Sequence, residues 1–96
     1  MIDDQSLATV RSVVGKHVDL TRYKAFIFGS RTHSMHRKYA DIDVGLMGPV
    51  TVPTATLLRI QEDLHNADIP YLTDVVDFSS VSQDFREKAL SHIVSL

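Results

Sequence analysis

Two aspartates, Asp41 and Asp43, stand two positions apart near the middle of the chain. Side chains alternate across a β-strand, so on a strand both carboxylates would point to the same face. Adjacent carboxylates repel each other, and a bound divalent cation is the usual reason to keep such a pair. The pair is therefore a candidate metal site, although two solvated acids on an edge strand would give the same pattern.

The dipeptide Gly29-Ser30 follows the apolar run 25–28 and precedes Asp41 by ten intervening residues. Glycine lets the backbone approach a phosphate, and the Ser30 hydroxyl and N–H can donate to phosphate oxygens. Gly-Ser is also a common turn dipeptide and is weak evidence alone. A strand, this dipeptide and the two acids together indicate a metal–nucleotide site.

The loop between the dipeptide and the acids is basic and contains no acid. It carries Arg31, His33, His36, Arg37 and Lys38. These side chains could hold a triphosphate, shield acids of a partner, or form an ordinary solvated loop. The two histidines have the i, i+3 spacing of a zinc pair, but the absence of a third ligand nearby disfavours zinc.

A third acid belongs to the apolar segment 71–78, where Asp74 and Asp77 fall on opposite faces of the predicted strand. The alternation of apolar residues does not decide between them. Asp77 lies at the end of the strand, where an acid commonly caps the next helix, and its position favours this structural role. Asp74 is therefore preferred as the site residue, with Asp77 as the alternative.

Three segments of the sequence resemble the nucleotidyltransferase superfamily that includes DNA polymerase beta, in particular its minimal nucleotidyltransferases. They are Phe28–Arg31, Tyr39–Leu46 and Tyr71–Phe78, and the resemblance extends over residues 22–94. The chain departs from the usual family pattern at two positions. Ser34 stands where the family usually has glycine, and Ala40 stands where it often has serine.

The resemblance implies a function and a set of roles. It implies transfer of AMP from ATP to a hydroxyl, specifically to a tyrosine of a helical HEPN toxin for which the chain acts as antitoxin. Two Mg²⁺ or Mn²⁺ ions would be held by Asp41, Asp43 and Asp74. Asp74 would also accept the proton of the attacking hydroxyl, and the ATP phosphates would be bound by Gly29, Ser30 and Arg31.

Two alternatives to this function stay open at the level of sequence. The chain could be a binding module that neutralises a HEPN partner by contact without catalysis. It could also adenylylate a small hydroxylated molecule such as an aminoglycoside. The small size disfavours the second alternative, because the chain has no additional region for recognising a small acceptor.

The elements that must position these residues can be read from periodicity and turn signals. Helices are predicted at 4–17, from a first turn that includes Pro53 through about residue 66, and from a capping box at Ser80 and Gln83 through Ile93. The strands are predicted at 24–28, at 41–46 ended by turn signals from Gly45 to Gly48-Pro49, and at 71–78. A short helix could lie within 29–40. The order α-β-β-α-β-α predicts an α/β or α+β fold with helices packed on a small mixed sheet.

Length and composition set outer limits on the protein. Ninety-six residues predict a single domain over 1–96, and the small core favours association with itself or a partner. The formal net charge of −2 argues against a general polyanion binder, and no direct DNA binding is expected. The chain has no cysteine, no apolar run of about 20 residues and no signal-like start, so a cytoplasmic protein without membrane contact is expected.

Overall fold

The computed structural model describes residues 3–28 and 40–96, apart from the side chains of Ala40 and Asp41. It confirms the predicted order of helices and strands and adds a 3-10 helix and a short fourth strand. The short helix considered within 29–40 falls almost entirely outside the described residues. The elements are α1 (Asp4–Gly15), β1 (Lys24–Phe28), β2 (Ala40–Met47), α2 (Thr54–His65), β3 (Tyr71–Asp77), the 3-10 helix (Phe78–Ser80), α3 (Gln83–Leu90) and β4 (Val94–Ser95).

The strands form one sheet in the order β3-β2-β1-β4. β1 pairs antiparallel with β2 and with β4, whereas β2 and β3 are parallel. A parallel pair needs a crossover connection, and α2 supplies it. The predicted mixed sheet of an α+β fold is therefore confirmed. No helix within residues 3–28 and 40–96 has the length and apolar character to span a bilayer.

One face of the sheet is closed by α1 and α2, and we call it the covered face. Because strand residues alternate between faces, every second residue of β1, β2 and β3 contributes to this core. Its buried members are Val10, Val13, Val14, Ala25, Ile27, Ile42, Val44, Leu46, Val52, Ile60 and Leu64. The alternate residues point to the other face, which we call the site face; it includes Phe26, Phe28, Asp43, Gly45, Asp74 and Val76.

The start of α3 differs from the sequence-based prediction. Ser82 is the N-cap, and its side chain accepts a hydrogen bond of 3.2 Å from the Phe85 N–H. The capping box predicted from Ser80 and Gln83 is therefore wrong, because Ser80 belongs to the 3-10 helix. The helix also ends at Leu90, so Ile93 packs beside it from the following segment rather than from its apolar face.

Gly45 is not a turn signal, contrary to the prediction, but lies within β2. A Cβ at this position would come within 2.7 Å of Phe26 Cζ and 2.8 Å of Phe78 Cε1. Glycine is needed here because the two rings occupy the space of a side chain. The strand continues to Met47, and the turn begins at the Gly48-Pro49 dipeptide that the sequence also marks.

Candidate active site

Asp43 of β2 and Asp74 of β3 occupy the same register position on neighbouring parallel strands. Neighbouring strands lie about 4.8 Å apart and residues in register point to the same face, so both carboxylates belong to the site face. Asp43 is half-buried and Asp74 is exposed. On the other side, Asp43 is paired with Phe28, the last residue of β1. The fold thus brings together two acids that are separated in sequence by all of α2.

The other predicted site residues are only partly described. The backbone of Asp41 belongs to β2 and is in register with Leu72, but its side chain lies outside the described part of the chain. Chain connectivity places the predicted phosphate-binding segment directly after Phe28, the residue paired with Asp43. That segment falls within residues 29–39, outside the described residues, and consists of Gly29, Ser30 and Arg31.

Asp77, the alternative third acid, is buried and has a structural role. Its Oδ2 accepts a hydrogen bond of 2.8 Å from the Val52 N–H. Its Oδ1 accepts hydrogen bonds from the Ser79 N–H at 3.0 Å and from the Ser79 hydroxyl at 2.7 Å. Oδ1 therefore holds the backbone of the 3-10 helix, and Oδ2 holds the loop that precedes α2. The geometry favours Asp74, which stands next to Asp43, as the third site acid.

A cluster of aromatic side chains lies beside the acids. Phe26, Phe28 and Phe78 are buried, and the ring of Phe78 lies edge-to-face against each of the other two at a centroid distance of 4.9 Å. Phe85 of α3 contacts Phe28 edge-to-face at 6.0 Å. Such pairs favour one arrangement of the rings and exclude water from one side of Asp43. Low local polarity strengthens the electrostatic interactions of a neighbouring carboxylate.

A cleft of about 450 Å³ opens between Asp43 and α3. Its lining combines apolar surface with one acid and one base: Phe28, Asp43, Val76, Phe85, Lys88 and Ala89. The sequence pattern assigns Phe85 to the apolar face of the last helix, yet 42% of its surface is exposed. Lys88 carries no motif that would have marked it. Both residues become candidates for substrate contact only through the three-dimensional arrangement.

The acids fit a divalent cation by their chemistry and placement. Mg²⁺ and Mn²⁺ prefer oxygen ligands, and Mg²⁺ commonly binds one or two carboxylates together with substrate phosphates. Asp43 and Asp74 supply carboxylates at one register position of the open site face. Within residues 3–28 and 40–96, and without the Asp41 side chain, no three histidine, aspartate or glutamate side chains form a metal-binding group. The described part of the site therefore offers two carboxylates to a cation, those of Asp43 and Asp74.

Comparison with known proteins gives consistent results for family and fold. Residues 13–96 match the family described as Polymerase beta, Nucleotidyltransferase. The chain is 29% identical over 86 residues to the "Probable protein adenylyltransferase MntA" of Haemophilus influenzae, with 90% of this chain and 74% of that protein covered.

Two solved structures share the fold over almost the whole chain. One is the tri-AMPylated Shewanella oneidensis HEPN toxin in complex with MNT antitoxin, with a TM-score of 0.75, 15% identity, and coverage of 98% of this chain and 71% of that chain. The other is a toxin–antitoxin structure with AMP-PNP, with a TM-score of 0.75, 15% identity, and coverage of 98% and 72%. At these identities the likeness establishes the fold.

Proposed function

Because this chain belongs to the polymerase beta nucleotidyltransferase family, we propose that it transfers AMP from ATP to a hydroxyl group of a HEPN-type partner protein. The observation that carries the proposal is the placement of Asp43 and Asp74 in register on the open face of the sheet. The relative in Haemophilus influenzae bears the name of a protein adenylyltransferase, and the similar fold occurs in a complex with an AMPylated HEPN toxin. Both support this choice of donor and acceptor.

In the proposed reaction the acceptor oxygen bonds to the α-phosphorus of ATP, and the bond from that phosphorus to the bridging oxygen of pyrophosphate breaks. Asp74 accepts the proton that the acceptor hydroxyl loses, because it is exposed and carries an acceptor-only carboxylate when ionised. A tyrosine of the partner is the proposed acceptor. Catalysis then consists mainly of positioning and charge neutralisation, as in phosphoryl transfer generally.

Asp41, Asp43 and Asp74 are the residues that would hold the metal, proposed as two Mg²⁺ or Mn²⁺ ions. Such ions, when bound, neutralise the negative charge of the triphosphate. The chain contributes the spacing of the carboxylates, which β2 and β3 set through their parallel register. Gly29, Ser30 and Arg31 remain the proposed contacts of the leaving phosphates. Location of the protein in the cytoplasm also stays a prediction.

The cleft beside Asp43 is the proposed place of the nucleoside. The nucleoside is covalently attached to the reacting α-phosphate, so it must lie next to the acids that would hold the metal ions at this phosphate. The cleft offers the partly exposed ring of Phe85 for stacking and the Lys88 ammonium as a hydrogen-bond donor. Its volume of about 450 Å³ is within the range of small-molecule sites.

The test is to incubate the chain with ATP, Mg²⁺ and the HEPN-type protein encoded beside it, and to measure the intact mass of that protein. We expect a mass gain of whole AMP groups on the partner. The double variant Asp41→Asn/Asp43→Asn should abolish the gain, because both changes remove metal-binding charge. The control Asp68→Asn changes an exposed acid in the loop after α2 and should leave transfer intact.

Other outcomes identify the alternatives. Undiminished neutralisation of the partner by the double variant would show a binding module that acts by contact. Release of pyrophosphate without a mass gain on the partner would indicate a different acceptor, such as a small molecule. Absence of any Mg²⁺- or Mn²⁺-dependent nucleotide binding would refute the proposed metal site itself.

A further inference from the structure

β3 is an edge strand of the sheet, with β2 on one side only. Within residues 3–28 and 40–96, backbone groups on its outer edge therefore have no strand to pair with. Successive residues of a strand direct their N–H and C=O groups alternately to its two edges. Those of Thr73 and Val75 point to the outer edge, whereas those of Asp74 point towards β2.

The side chain of Gln61 occupies this outer edge. Gln61 lies on α2, and its Oε1 accepts a hydrogen bond of 3.0 Å from the Val75 N–H. Its Nε2 donates a hydrogen bond to the Thr73 carbonyl oxygen. One carboxamide thus makes the two bonds that a neighbouring strand would make. The two bonded groups belong to the residues immediately before and after Asp74.

We infer that Gln61 is a positioning residue for Asp74. By holding the backbone on both sides of Asp74, its carboxamide fixes the position of β3 along β2. It thereby keeps the Asp74 carboxylate in register with Asp43. Gln61 lies at the edge of the covered face and acts through the main chain, so it does not touch substrate. The inference rests on the proposed function, in which Asp74 accepts the proton.

Both ends of the carboxamide are necessary for this role. An amide presents a donor and an acceptor at once, which matches one carbonyl and one N–H. Glutamate retains the acceptor for Val75 but places a carboxylate oxygen against the Thr73 carbonyl oxygen, and methionine retains only the length of the side chain. Both substitutions therefore lose the bond to Thr73, and methionine loses the bond to Val75 as well.

The test combines kinetics with hydrogen exchange on the intact chain. In Gln61→Met we expect kcat for AMP transfer to fall about 10- to 100-fold, the range typical of supporting residues around a site. The KM for ATP should stay within about twofold, because Gln61 lies away from the cleft that receives the nucleoside. Gln61→Glu should also lower kcat, because a carboxylate cannot donate to the Thr73 carbonyl oxygen. In the Met variant the Val75 amide should exchange faster by at least about tenfold, because its acceptor is lost.

Two controls separate positioning from general destabilisation. Glu62→Met makes the same kind of change at the next, exposed residue of α2 and should match the wild type in every readout. Ile60→Val destabilises the covered face without removing either bond to β3, and it should raise exchange throughout the sheet while leaving kcat near wild type when measured well below its melting temperature.

The results distinguish failure of this inference from failure of the proposed function. A wild type that transfers no nucleotide refutes the proposed function, and the inference falls with it. A wild type that transfers AMP while Gln61→Met retains its kcat refutes the positioning role alone. Equal loss of kcat in Gln61→Met and Ile60→Val would also refute it, since a purely structural effect would then suffice.

Discussion

The two faces of the sheet are built from alternate residues of the same strands, yet they differ in chemistry. The covered face is aliphatic and is closed by α1 and α2 along the sheet. The site face is aromatic at one end, where Phe78 of the 3-10 helix and Phe85 of α3 pack against Phe28, and acidic at the other, where Asp43 and Asp74 stand in register. Most of the buried apolar side chains belong to the covered face. The site face buries fewer of them, and it leaves Asp43 half-buried and Asp74 exposed.

This division teaches that a residue's face predicts its role better than its type. Asp74 and Asp77 are both aspartates of β3, three positions apart. One is exposed on the site face beside Asp43, and the other is buried with both oxygens bound to backbone and hydroxyl groups. Substitutions that alter residues of one face at a time test this division.

The largest effect is expected from the matched pair Asp74→Asn and Asp77→Asn. Asp74→Asn should lower AMP transfer by about 10²- to 10⁴-fold, because asparagine cannot accept the proton, and should leave stability nearly unchanged. Asp77→Asn should cost about 1–3 kcal/mol of unfolding free energy through its lost charged hydrogen bonds, with near-normal activity per folded molecule. Transfer kinetics and urea unfolding measure the two effects. The reverse pattern would exchange the roles of the two acids.

A glycine substitution probes the aromatic end of the site face. Gly45→Ala should lower the unfolding free energy by about 1–3 kcal/mol, because its Cβ has no room beside the buried rings of Phe26 and Phe78. The control Gly15→Ala places a Cβ 3.3 Å from Leu20 in the last turn of α1, where alanine favours the helix. It should be neutral or stabilising. Equal melting temperatures for the two variants would contradict the close packing described here.

A smaller change in stability, with a specific kinetic effect, is expected for Phe85→Ala. Phe85 is 42% exposed and makes one edge-to-face contact, with Phe28, that contributes about 0.5–1.5 kcal/mol. Its loss should raise the KM for ATP several-fold because the cleft loses its stacking surface. Leu58→Ala on α2, at a more exposed apolar residue, is the control and should leave this KM unchanged. An unaltered KM in Phe85→Ala would place the nucleoside outside the cleft.

The smallest effect concerns the contribution that the N-cap of α1 makes to stability at low pH. Hydrogen bonds from the Ser6 side chain and backbone N–H hold the pKa of Asp3 below its ordinary value of 3.8. A lowered folded-state pKa stabilises the protein above 3.8 and loses this contribution as the pH falls through the folded-state value. Asp3→Asn, which keeps the N-cap, should therefore melt below wild type at pH 5 and approach it near pH 3.

The comparison variant for this measurement is Asp4→Asn, which changes an exposed acid of the first turn of α1 without touching the cap. Its difference from the wild type should vary less between the two pH values. A melting deficit of Asp3→Asn that is the same at pH 5 and pH 3 would show that the charge of Asp3 does not contribute to α1.

Much of the fold follows from local patterns in the sequence. The strands β1 and β3 match their predicted positions closely, because apolar runs are local properties of the sequence. α2 begins at Thr54, directly after the Pro53 that was predicted in its first turn. The two-residue β4 was not predicted, since such a short strand has no periodicity and exists only through pairing with β1. Gly45 was wrongly interpreted as a turn residue. Glycine is needed there because of the rings of Phe26 and Phe78, which lie far from it in the sequence.

The candidate site, like the fold, was predicted from the sequence only in part. Asp43 was identified from its spacing, and Asp74 could only be preferred over Asp77 until the register with Asp43 was known. Lys88 and Gln61 carried no signal, because a lysine or glutamine on a helix is common and only the fold determines what it contacts. Local chemistry therefore proposes which acids form the site, and the tertiary structure shows what surrounds them.

The parallel pairing of β2 with β3 has a consequence for the time course of synthesis. β1 and β2 form an antiparallel pair between segments near in sequence, whereas Asp74 pairs with a residue that lies on the other side of α2 in the sequence. Contacts between distant segments form slowly in folding. A nascent chain emerging from the ribosome therefore cannot bring Asp74 beside Asp43 until its third major strand has joined the sheet, and the candidate site is completed only after that strand has been synthesised.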